Sequence, residues 1–229
     1  DRAVGRVAAE PVAAGVDSPS MDASLKDGYA VLSSDVRGAA KENPVELAVR
    51  GSLAAGDPPG DGISTGQALR ILSGAPIPPG ADAVVAKEFT DMGRSRVRVF
   101  EGVTAGRNVL SRGTDVRKGE LIVEAGQPVL PQVAGLMAAG GVGSMVVHRR
   151  PGIALLATGS EILMPGQPFT AGKIYASNLA LQHAWLIADG FEVKTGVSGD
   201  TENEMAAAAG ALMKGTDVLI TSGGAWKGD

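Results

Sequence analysis

The chain has 229 residues, of which 44% are hydrophobic and 20% charged, and its formal net charge is −4. This composition is typical of a globular protein and excludes a disordered chain. The length predicts two or three small domains rather than one, and the acidic balance argues against nucleic acid or an anionic membrane as a partner.

The sequence contains no cysteine. Disulfide frameworks, thiolate zinc sites, iron–sulfur clusters and cysteine nucleophiles are therefore excluded, and the composition is compatible with a cytoplasmic location. No apolar run approaches the roughly 20 residues that span a bilayer, so we expect no membrane contact. The chain begins DRAVGRVAAE, without a signal peptide or an initiating Met, which predicts an internal start.

Short apolar runs between residues 27 and 101 predict β-strands. The runs are YAVL, VELAVR, ALRIL, ADAVVAKEF and RVRVF, and the segments AAGDPPGDG and SGAPIPPGAD that separate two of the pairs are unfit for helix. Further along, PQVAGLMAAG predicts one short helix over residues 131–139, since Pro131 suits a first helical turn and Gly140 suits a helix end. This part of the chain therefore reads as β-rich.

After residue 152 the pattern changes to alternating strands and helices. GIALLA predicts a strand covered on both faces, and FEVKTGV and DVLIT predict two more. The helix SNLALQHAWLIADG has Ser177 as its expected N-cap and Gly190 just beyond its end, and Thr201 with Glu204 forms a capping-box pattern before the next helix. The predicted fold class is mixed α/β: β-rich domains followed by a partial doubly wound α/β domain.

The three predicted strands of this second part end in polar loops, TGSE (158–161), SGDTE (198–202) and TSGGAWKGD (221–229). Each loop contains glycine beside a hydroxyl residue, and each supplies a carboxylate: Glu161, Asp200 and Asp229. Glycine lets backbone N–H groups approach a phosphate, and converging carboxylates hold Mg²⁺. Together they predict a phosphorylated ligand with a hard cation, although any one loop alone is more typical of a plain turn.

Asp27, in ASLKDGYAV, has two interpretations. The pair Asp27-Gly28 is a turn signal before a strand, and a carboxylate at a loop mouth is equally suited to catalysis or metal binding. The residues alone favour neither. The two histidines, His148 and His183, are isolated from each other in the sequence, which argues against a histidine metal cluster or a catalytic triad.

Six motifs occur in an order that resembles the molybdopterin molybdenumtransferases, the bacterial MoeA family that includes the gephyrin E domain. The motifs are SLKDGYAV, LRILSGAPIPPGADAVV, GRNVLSRGTDVRKGE, RRPGIALLATGSEI, IYASNLAL and ITSGGAWKGD. The resemblance covers essentially the whole chain. It implies a cytoplasmic homodimer that takes adenylylated molybdopterin and molybdate as substrates and releases AMP with help from Mg²⁺. Other molybdenum-cofactor biosynthesis proteins are further candidate partners.

The resemblance also implies a domain division and a set of site residues. Residues 1–22 and 107–149 match a linker and dimerisation domain, residues 23–106 a β domain, and residues 150–229 the N-terminal part of an incomplete molybdopterin-binding α/β domain. The implied catalytic residues are Asp27, Ser73 (where the family usually has Thr), Asp115 and Glu161. The implied cofactor-binding residues are Thr158, Gly159, Asp200, Ser222, Gly223, Gly224 and Lys227, and the implied metal ligands are Glu161, Asp200 and Asp229.

Three points stay open at this level. Trp226 and Lys227 replace the small residues of the family loop, and either contact the ligand or point to solvent. The family continues beyond the end of this chain, so we expect the chain alone to be weakly active or inactive. Two alternative functions are a non-catalytic molybdopterin-binding scaffold and a molybdopterin adenylyltransferase-like activity; SLKDGYAV and SGAPIPPGAD argue against the latter.

Overall fold

The structure is a computed structural model, and it describes residues 2–223. The chain divides into two compact units, Asp1–Val147 and His148–Asp229, which are described separately below. The first unit is built mainly of strands and the second of strands and helices, so the predicted mixed α/β class with several sheets is confirmed.

The first unit contains short strands and two helices. In chain order these are β1 (Val12–Ala13), β2 (Ala23–Ser24), β3 (Gly28–Val31), α1 (Ser33–Val36), β4 (Val45–Leu53), β5 (Gln67–Ile71), β6 (Ala83–Ala86), a 3₁₀ turn (Lys87–Phe89), β7 (Arg96–Val99), β8 (Val109–Leu110), β9 (Leu121–Val123) and α2 (Pro131–Ala139). The five runs predicted as strands between residues 27 and 101 are all strands, although the run ending at residue 89 turns into the 3₁₀ turn after Ala86.

The central feature of the first unit is a five-stranded sheet in the order β6-β3-β5-β4-β7. Alternate residues of β3 enter different apolar clusters: Tyr29 packs with Leu47 and Val97, and Ala30 packs with Leu69 and Val84. Both faces of β3 are therefore buried, which explains why the whole strand is apolar or glycine.

Gly28 is required where β3 meets β6. A Cβ at this position would lie 1.9 Å from the carbonyl oxygen of Val85, a distance that no side chain tolerates. The absence of a side chain at Gly28 lets the two strands pair closely beside Asp27.

A second group of elements brings the N-terminal strands of the first unit together with strands near its C-terminal end. Strand β1 pairs with β9 and β2 pairs with β8, both antiparallel. Helix α2 begins at Pro131 and ends at Ala139, with Gly140 as its C-cap, so the helix predicted from Pro131 and Gly140 is confirmed. An apolar cluster of Ala8, Val123 and Val129 lies beneath it.

The second unit contains β10 (Ile153–Thr158), β11 (Ile162–Leu163), β12 (Ile174–Tyr175), α3 (Ser177–Ala188), β13 (Val193–Ser198), α4 (Glu202–Leu212) and β14 (Val218–Ser222). Strands β13, β10 and β14 form a parallel sheet with β10 in the centre. Residues Ile153–Ala157 of β10 are buried, as their continuous apolar run predicts. The small pair β11–β12 was not predicted, because a two-residue strand carries no periodic signal.

The two long helices cover opposite faces of this sheet. Leu179 and Leu186 of α3 pack with Leu155, whereas Gly196 of β13, which points the other way, faces Leu212 of α4. The close approach of α4 is possible because residue 196 has no side chain; a Cβ there would lie 3.0 Å from Leu212 Cδ1.

The helix ends test the predicted caps. The capping box of Thr201 and Glu204 is present in full at the start of α4. Gly190 follows the C-cap of α3 with φ of 79°, as predicted. The prediction that Ser177 is an N-cap was wrong: Ala176 is the N-cap and Ser177 is the first helical residue, because β12 brings the chain into α3 one residue earlier.

Candidate functional site

Asp27 lies immediately before β3, and both oxygens of its carboxylate have partners. The backbone N–H of Ser73 donates to Oδ1 at 3.0 Å, and Lys87 Nζ lies 3.2 Å from Oδ2. These hydrogen bonds, the one from Ser73 first, hold the pKa of Asp27 below its usual range, although burial opposes them. Asp27 is therefore ionised at neutral pH. The structure brings together two of the predicted residues, Asp27 and Ser73.

Ser73 contacts Asp27 only through its main chain. The backbone turns sharply here, since Ala75 N–H bonds to the carbonyl of Leu72 at 3.0 Å and Gly74 has φ of 82°. The exposed Ser73 hydroxyl has no hydrogen-bond partner within residues 2–223. Its orientation towards solvent leaves it available to a ligand.

A small cavity of about 50 Å³ lies beside Asp27 and is called the Asp27 cavity below. It is lined by Asp27, Gly28, Tyr29, Arg70, Ile71, Leu72, Lys87 and Met92. Sequence reasoning missed Lys87 and Arg70. Lys87 directly follows β6. Only the pairing of Gly28 with Ala86 shows that this position lies beside Asp27, and the sequence does not reveal that pairing.

Asp115 has different partners within the same unit. The Ser18 hydroxyl donates to its Oδ2 at 3.2 Å, and the backbone N–H of Asp115 donates to the Ser18 carbonyl at 2.9 Å. In the described part of the chain no hydrogen bond links Asp115 to Asp27 or Ser73. Its predicted catalytic role thus has no support from a shared network and stays a prediction.

In the second unit the ends of the three parallel strands lie at one edge of the sheet. Thr158 is level with Ser198, and Ala157 is level with Ser222. The Gly159 N–H donates to the Ser198 carbonyl at 3.0 Å, which ties the first loop to the end of β13. The predicted residues Thr158, Gly159 and Ser222 are therefore neighbours.

Gly223 makes the closest contact at this edge. Its φ is 131°, and a Cβ at this position would lie 2.2 Å from the Thr158 carbonyl oxygen. Only glycine allows the loop after β14 to pass so near the end of β10.

Asp200 holds the first loop in place. Its Oδ2 accepts a hydrogen bond from the backbone N–H of Ser160 at 2.9 Å, and Lys173 Nζ donates to the carbonyl of the same residue. Hydrogen bonding by the Ser160 hydroxyl and backbone, with the charge of Lys173, lowers the pKa of Asp200. Lys173 was not predicted; no motif or strand end marks its position.

A pocket of about 190 Å³ opens at this edge and is called the strand-edge pocket below. Its polar lining includes Thr158, Glu161, Ser177, Asn178, Ser222 and Gly223. The Glu161 carboxylate lies over Gly159, within 2.5 Å of where a Cβ of Gly159 would be. Ser177 and Asn178, at the start of α3, were not predicted as site residues.

Two of the three predicted metal ligands, Glu161 and Asp200, lie in the described part of the chain. Within residues 2–223 no group of three His, Cys, Asp or Glu side chains is placed to hold a metal ion. Glu161 and Asp200 nevertheless offer carboxylate oxygens from loops at the same sheet edge, and Mg²⁺ commonly takes one or two carboxylates and fills its remaining positions with phosphate oxygens and water. Their role as metal ligands stays a prediction.

Six residues of the predicted phosphate loop, 224–229, lie outside the described residues, and four of them were singled out above. These are Gly224, Trp226, Lys227 and Asp229.

A larger cavity lies elsewhere in the first unit. It measures about 580 Å³ and lies beside α2, lined by Arg2 and otherwise by small and apolar residues, with no carboxylate. Without a carboxylate its lining offers no ligand for a cation. Over the described range, no helix is both long enough and apolar enough to cross a membrane.

A β-rich unit with the half-exposed Asp27 carboxylate and a parallel α/β unit with the strand-edge pocket define a multidomain protein of mixed α/β class. The sequence model of the MoeA N-terminal region (domain I and II) matches residues 1–141. The chain therefore belongs to the MoeA family.

Relatives and solved structures extend this likeness over both units. The chain is 37% identical over 224 residues to molybdopterin molybdenumtransferase 2 of Mycobacterium tuberculosis, covering 97% of this chain and 55% of that protein. It is 36% identical over 229 residues to the molybdopterin molybdenumtransferase of Bacillus subtilis, covering 98% and 53%. The MoeA protein structure from Pyrococcus horikoshii OT3 aligns with a TM-score of 0.85 at 30% identity, covering 96% and 59%. The chain spans about half the length of the curated relatives it matches.

Proposed function

We propose that this chain is part of an enzyme of molybdenum cofactor biosynthesis that inserts molybdate into adenylylated molybdopterin and releases AMP. The relatives that cover nearly all of this chain are named molybdopterin molybdenumtransferases. The observation that carries the proposal to particular residues is the strand-edge pocket, where glycine, hydroxyl and carboxylate groups from two strand ends meet.

The strand-edge pocket is suited to the phosphate end of such a substrate. Gly223 brings the main chain close to Thr158, where a side chain would clash with the Thr158 carbonyl, and we assign its backbone N–H to the phosphate. The Ser222 hydroxyl adds a donor at the same edge, whereas the Thr158 hydroxyl donates to the Ser222 carbonyl at 3.5 Å. Asp200 and Lys173 hold Ser160 from both sides, and we assign to them the fixing of this loop.

Glu161 and Asp27 are the carboxylates to which we assign chemistry. Glu161 lines the strand-edge pocket, and Asp27 is ionised in its own cavity with one fixed orientation. When bound, Mg²⁺ held by Glu161 and Asp200 supplies charge neutralisation at the phosphate oxygens. Asp27 and Glu161 would then orient the reacting groups while the phosphoanhydride to AMP is cleaved. Ser73 and Asp115 stay proposed contributors.

The remaining features of the proposal concern assembly. Helices on both faces of the β13-β10-β14 sheet support the second unit as the opening of a doubly wound molybdopterin-binding domain. The pairing of β1 with β9 supports grouping residues 1–22 with 107–149, and the β2–β8 pair joins this group to the β domain of residues 23–106. We also propose a homodimer in the cytoplasm, which sedimentation of the full-length protein would test.

The proposal is tested by molybdate-dependent release of AMP from adenylylated molybdopterin, using the full-length protein that carries this chain. We expect AMP to appear when molybdate is added and to be absent without it. Tungstate in competition would show which oxyanion is preferred. A protein that binds the adenylylated pterin without releasing AMP would instead be a scaffold, and one that forms it from ATP would be an adenylyltransferase.

A pair of variants ties that activity to the pocket. Glu161→Gln removes the charge of the pocket carboxylate and should lower the rate of AMP release by about 100-fold or more. Glu42→Gln is the matched control, because Glu42 is an exposed carboxylate with no recorded partner in the first unit. Equal rates for the two variants would remove Glu161 from the mechanism.

A further inference from the structure

Lys87 is the side chain that the preceding assignment leaves without a role. It is half-exposed, with 49% of its side chain accessible, yet its ammonium group meets Asp27 Oδ2. The opposite oxygen of the same carboxylate is bound by the Ser73 N–H. One contact on each oxygen fixes the rotation of the carboxylate as well as its position.

The main chain of Lys87 is held as firmly as its side chain. The Lys87 N–H donates to the Asp27 carbonyl at 3.0 Å. The Lys87 carbonyl accepts hydrogen bonds from the N–H of Thr90 at 3.1 Å and from its hydroxyl at 2.9 Å. Thr90 is buried. Because the N–H and the carbonyl of Lys87 are both hydrogen-bonded, the 3₁₀ turn is held in place at Lys87.

The chemistry of the pair does not fit a role in stability. Ion pairs between side chains this exposed contribute little to folding, because water screens them and both side chains lose freedom. A lysine that is fixed through its main chain and directed at one carboxylate oxygen is better suited to orienting that carboxylate.

Arg70 is the second cation of the Asp27 cavity and offers a comparison. It lies on β5 level with Tyr29. Its charge also lowers the pKa of Asp27, but less than the hydrogen bonds and the charge of Lys87 do. Within residues 2–223 its guanidinium donates no hydrogen bond to Asp27. Tyr29 is the remaining titratable group of the cavity; burial raises its pKa, and its hydroxyl donates to the Gly93 carbonyl. Arg70 supplies charge without contact, whereas Lys87 supplies both.

We propose that Lys87 is a positioning residue that holds the Asp27 carboxylate ionised and in one orientation for the reaction; this inference rests on the proposed function. It predicts that Lys87 acts on catalysis only through Asp27. The neutral, nearly isosteric Lys87→Met should therefore change both the titration of Asp27 and the pH dependence of AMP release, while Lys87→Arg, which keeps a charged donor, should restore both.

The test uses the full-length protein labelled with ¹³C at aspartate side chains, with the Asp27 signal assigned by its loss in Asp27→Asn. We expect Lys87→Met to raise the titration midpoint of Asp27 and to move the acid limb of kcat/KM in the same direction. Below the titration midpoint of Asp27 the loss in kcat/KM should be about tenfold for each unit by which the midpoint rises, and it should be smaller at neutral pH, where Asp27 is ionised in both proteins. Arg70→Met should shift the Asp27 midpoint less than Lys87→Met, and Lys41→Met, which removes an exposed lysine with no recorded partner, should not shift it.

The outcomes separate this inference from the proposed function. An Asp27 midpoint that stays in place in Lys87→Met overturns the inference, whatever the activity. A midpoint that moves while the wild-type protein releases no AMP supports the contact and rejects the proposed reaction. In an active enzyme, the Asp27 midpoint could move in Lys87→Met while the acid limb of kcat/KM stays in place. This result rejects the positioning role, because the protonation of Asp27 would then not affect the reaction.

Discussion

The Asp27 cavity and the strand-edge pocket present their polar groups in opposite ways. The Asp27 cavity offers one carboxylate whose two oxygens are both bound, in a space of about 50 Å³. The strand-edge pocket is about 190 Å³ and combines apolar side chains with hydroxyls, the Glu161 carboxylate and the main chain at Gly223, and the nearby Asp200 holds the loop through Ser160. The contrast teaches that the first unit holds one charge in a fixed orientation, whereas the second leaves a larger and more mixed space, to which the proposed function assigns the phosphate.

The largest effect is expected where the first unit is packed most closely. Gly28→Ala would place a Cβ 1.9 Å from the Val85 carbonyl, so β3 or β6 must move. We expect a loss of about 3 kcal/mol in the free energy of unfolding, typical of forced overpacking, measured by urea denaturation. Gly38→Ala is the control because its Cβ would meet nothing within 4 Å. Equal stability of both variants would show that the β3–β6 contact is looser than described.

The second unit is tested at its strand edge. Gly223→Ala would meet the Thr158 carbonyl at 2.2 Å with φ of 131°. We expect about tenfold or greater weakening of adenylylated molybdopterin binding to the full-length protein, because the loop must shift by an amount that disrupts phosphate contacts. Calorimetric titration measures it.

The matched glycine in the same unit is Gly210, in α4, where a Cβ meets nothing within 4 Å. Gly210→Ala should leave binding unchanged and stabilise the protein by up to about 1 kcal/mol, since alanine favours helix. Unchanged ligand binding in Gly223→Ala would mean that the loop after β14 does not hold the ligand.

At the other end of the strands of the β13-β10-β14 sheet, just before β14, Asp217 provides a carboxylate with a structural role. Arg149 donates to both of its oxygens, at 2.5 and 2.6 Å, and Gly152 N–H adds a third hydrogen bond. These bonds, led by that of Arg149, lower the pKa of Asp217 from 3.8 to about 2. Because the folded pKa lies below the unfolded one, the stability from this group is complete above about pH 4 and is lost as the pH falls towards 2.

Asp217→Asn tests this directly. The difference in unfolding free energy between wild type and variant should be greatest at neutral pH and should shrink between pH 4 and pH 2, as measured by denaturant titration at each pH. A difference independent of pH over that range would show that Arg149 does not stabilise the ionised form.

The smallest effect is expected at Ser73. Since only its backbone N–H reaches Asp27, Ser73→Ala should leave the titration of Asp27 unchanged and alter stability by less than about 0.5 kcal/mol. Carboxyl ¹³C titration and urea denaturation measure these two quantities. A shifted Asp27 midpoint would mean that the hydroxyl takes part in holding the carboxylate.

Local patterns predicted the elements that local chemistry determines. Helix α2 follows from Pro131 and Gly140, and the start of α4 follows from Thr201 and Glu204, because these signals act within one helical turn. The β11–β12 pair and the N-cap at Ala176 were missed, since contacts between distant residues determine them.

The candidate site shows the same division. The strand order alone predicts that Thr158 and Ser222 meet at one edge. The contact between Asp27 and Lys87 needs the register of β3 on β6, which the sequence does not reveal. Asp200 was predicted to bind ligand and metal, and its hydrogen bond to Ser160 adds a structural task that sequence patterns do not indicate.

Single-turnover release of AMP by Asp27→Asn tests the central contrast most directly. The full-length variant is saturated with adenylylated molybdopterin, molybdate is added, and AMP is followed over time. If the first unit supplies the reactive charge and the second holds the phosphate, the substrate binds as in wild type but AMP release slows by about 100-fold or more. AMP release at the wild-type rate would contradict the account.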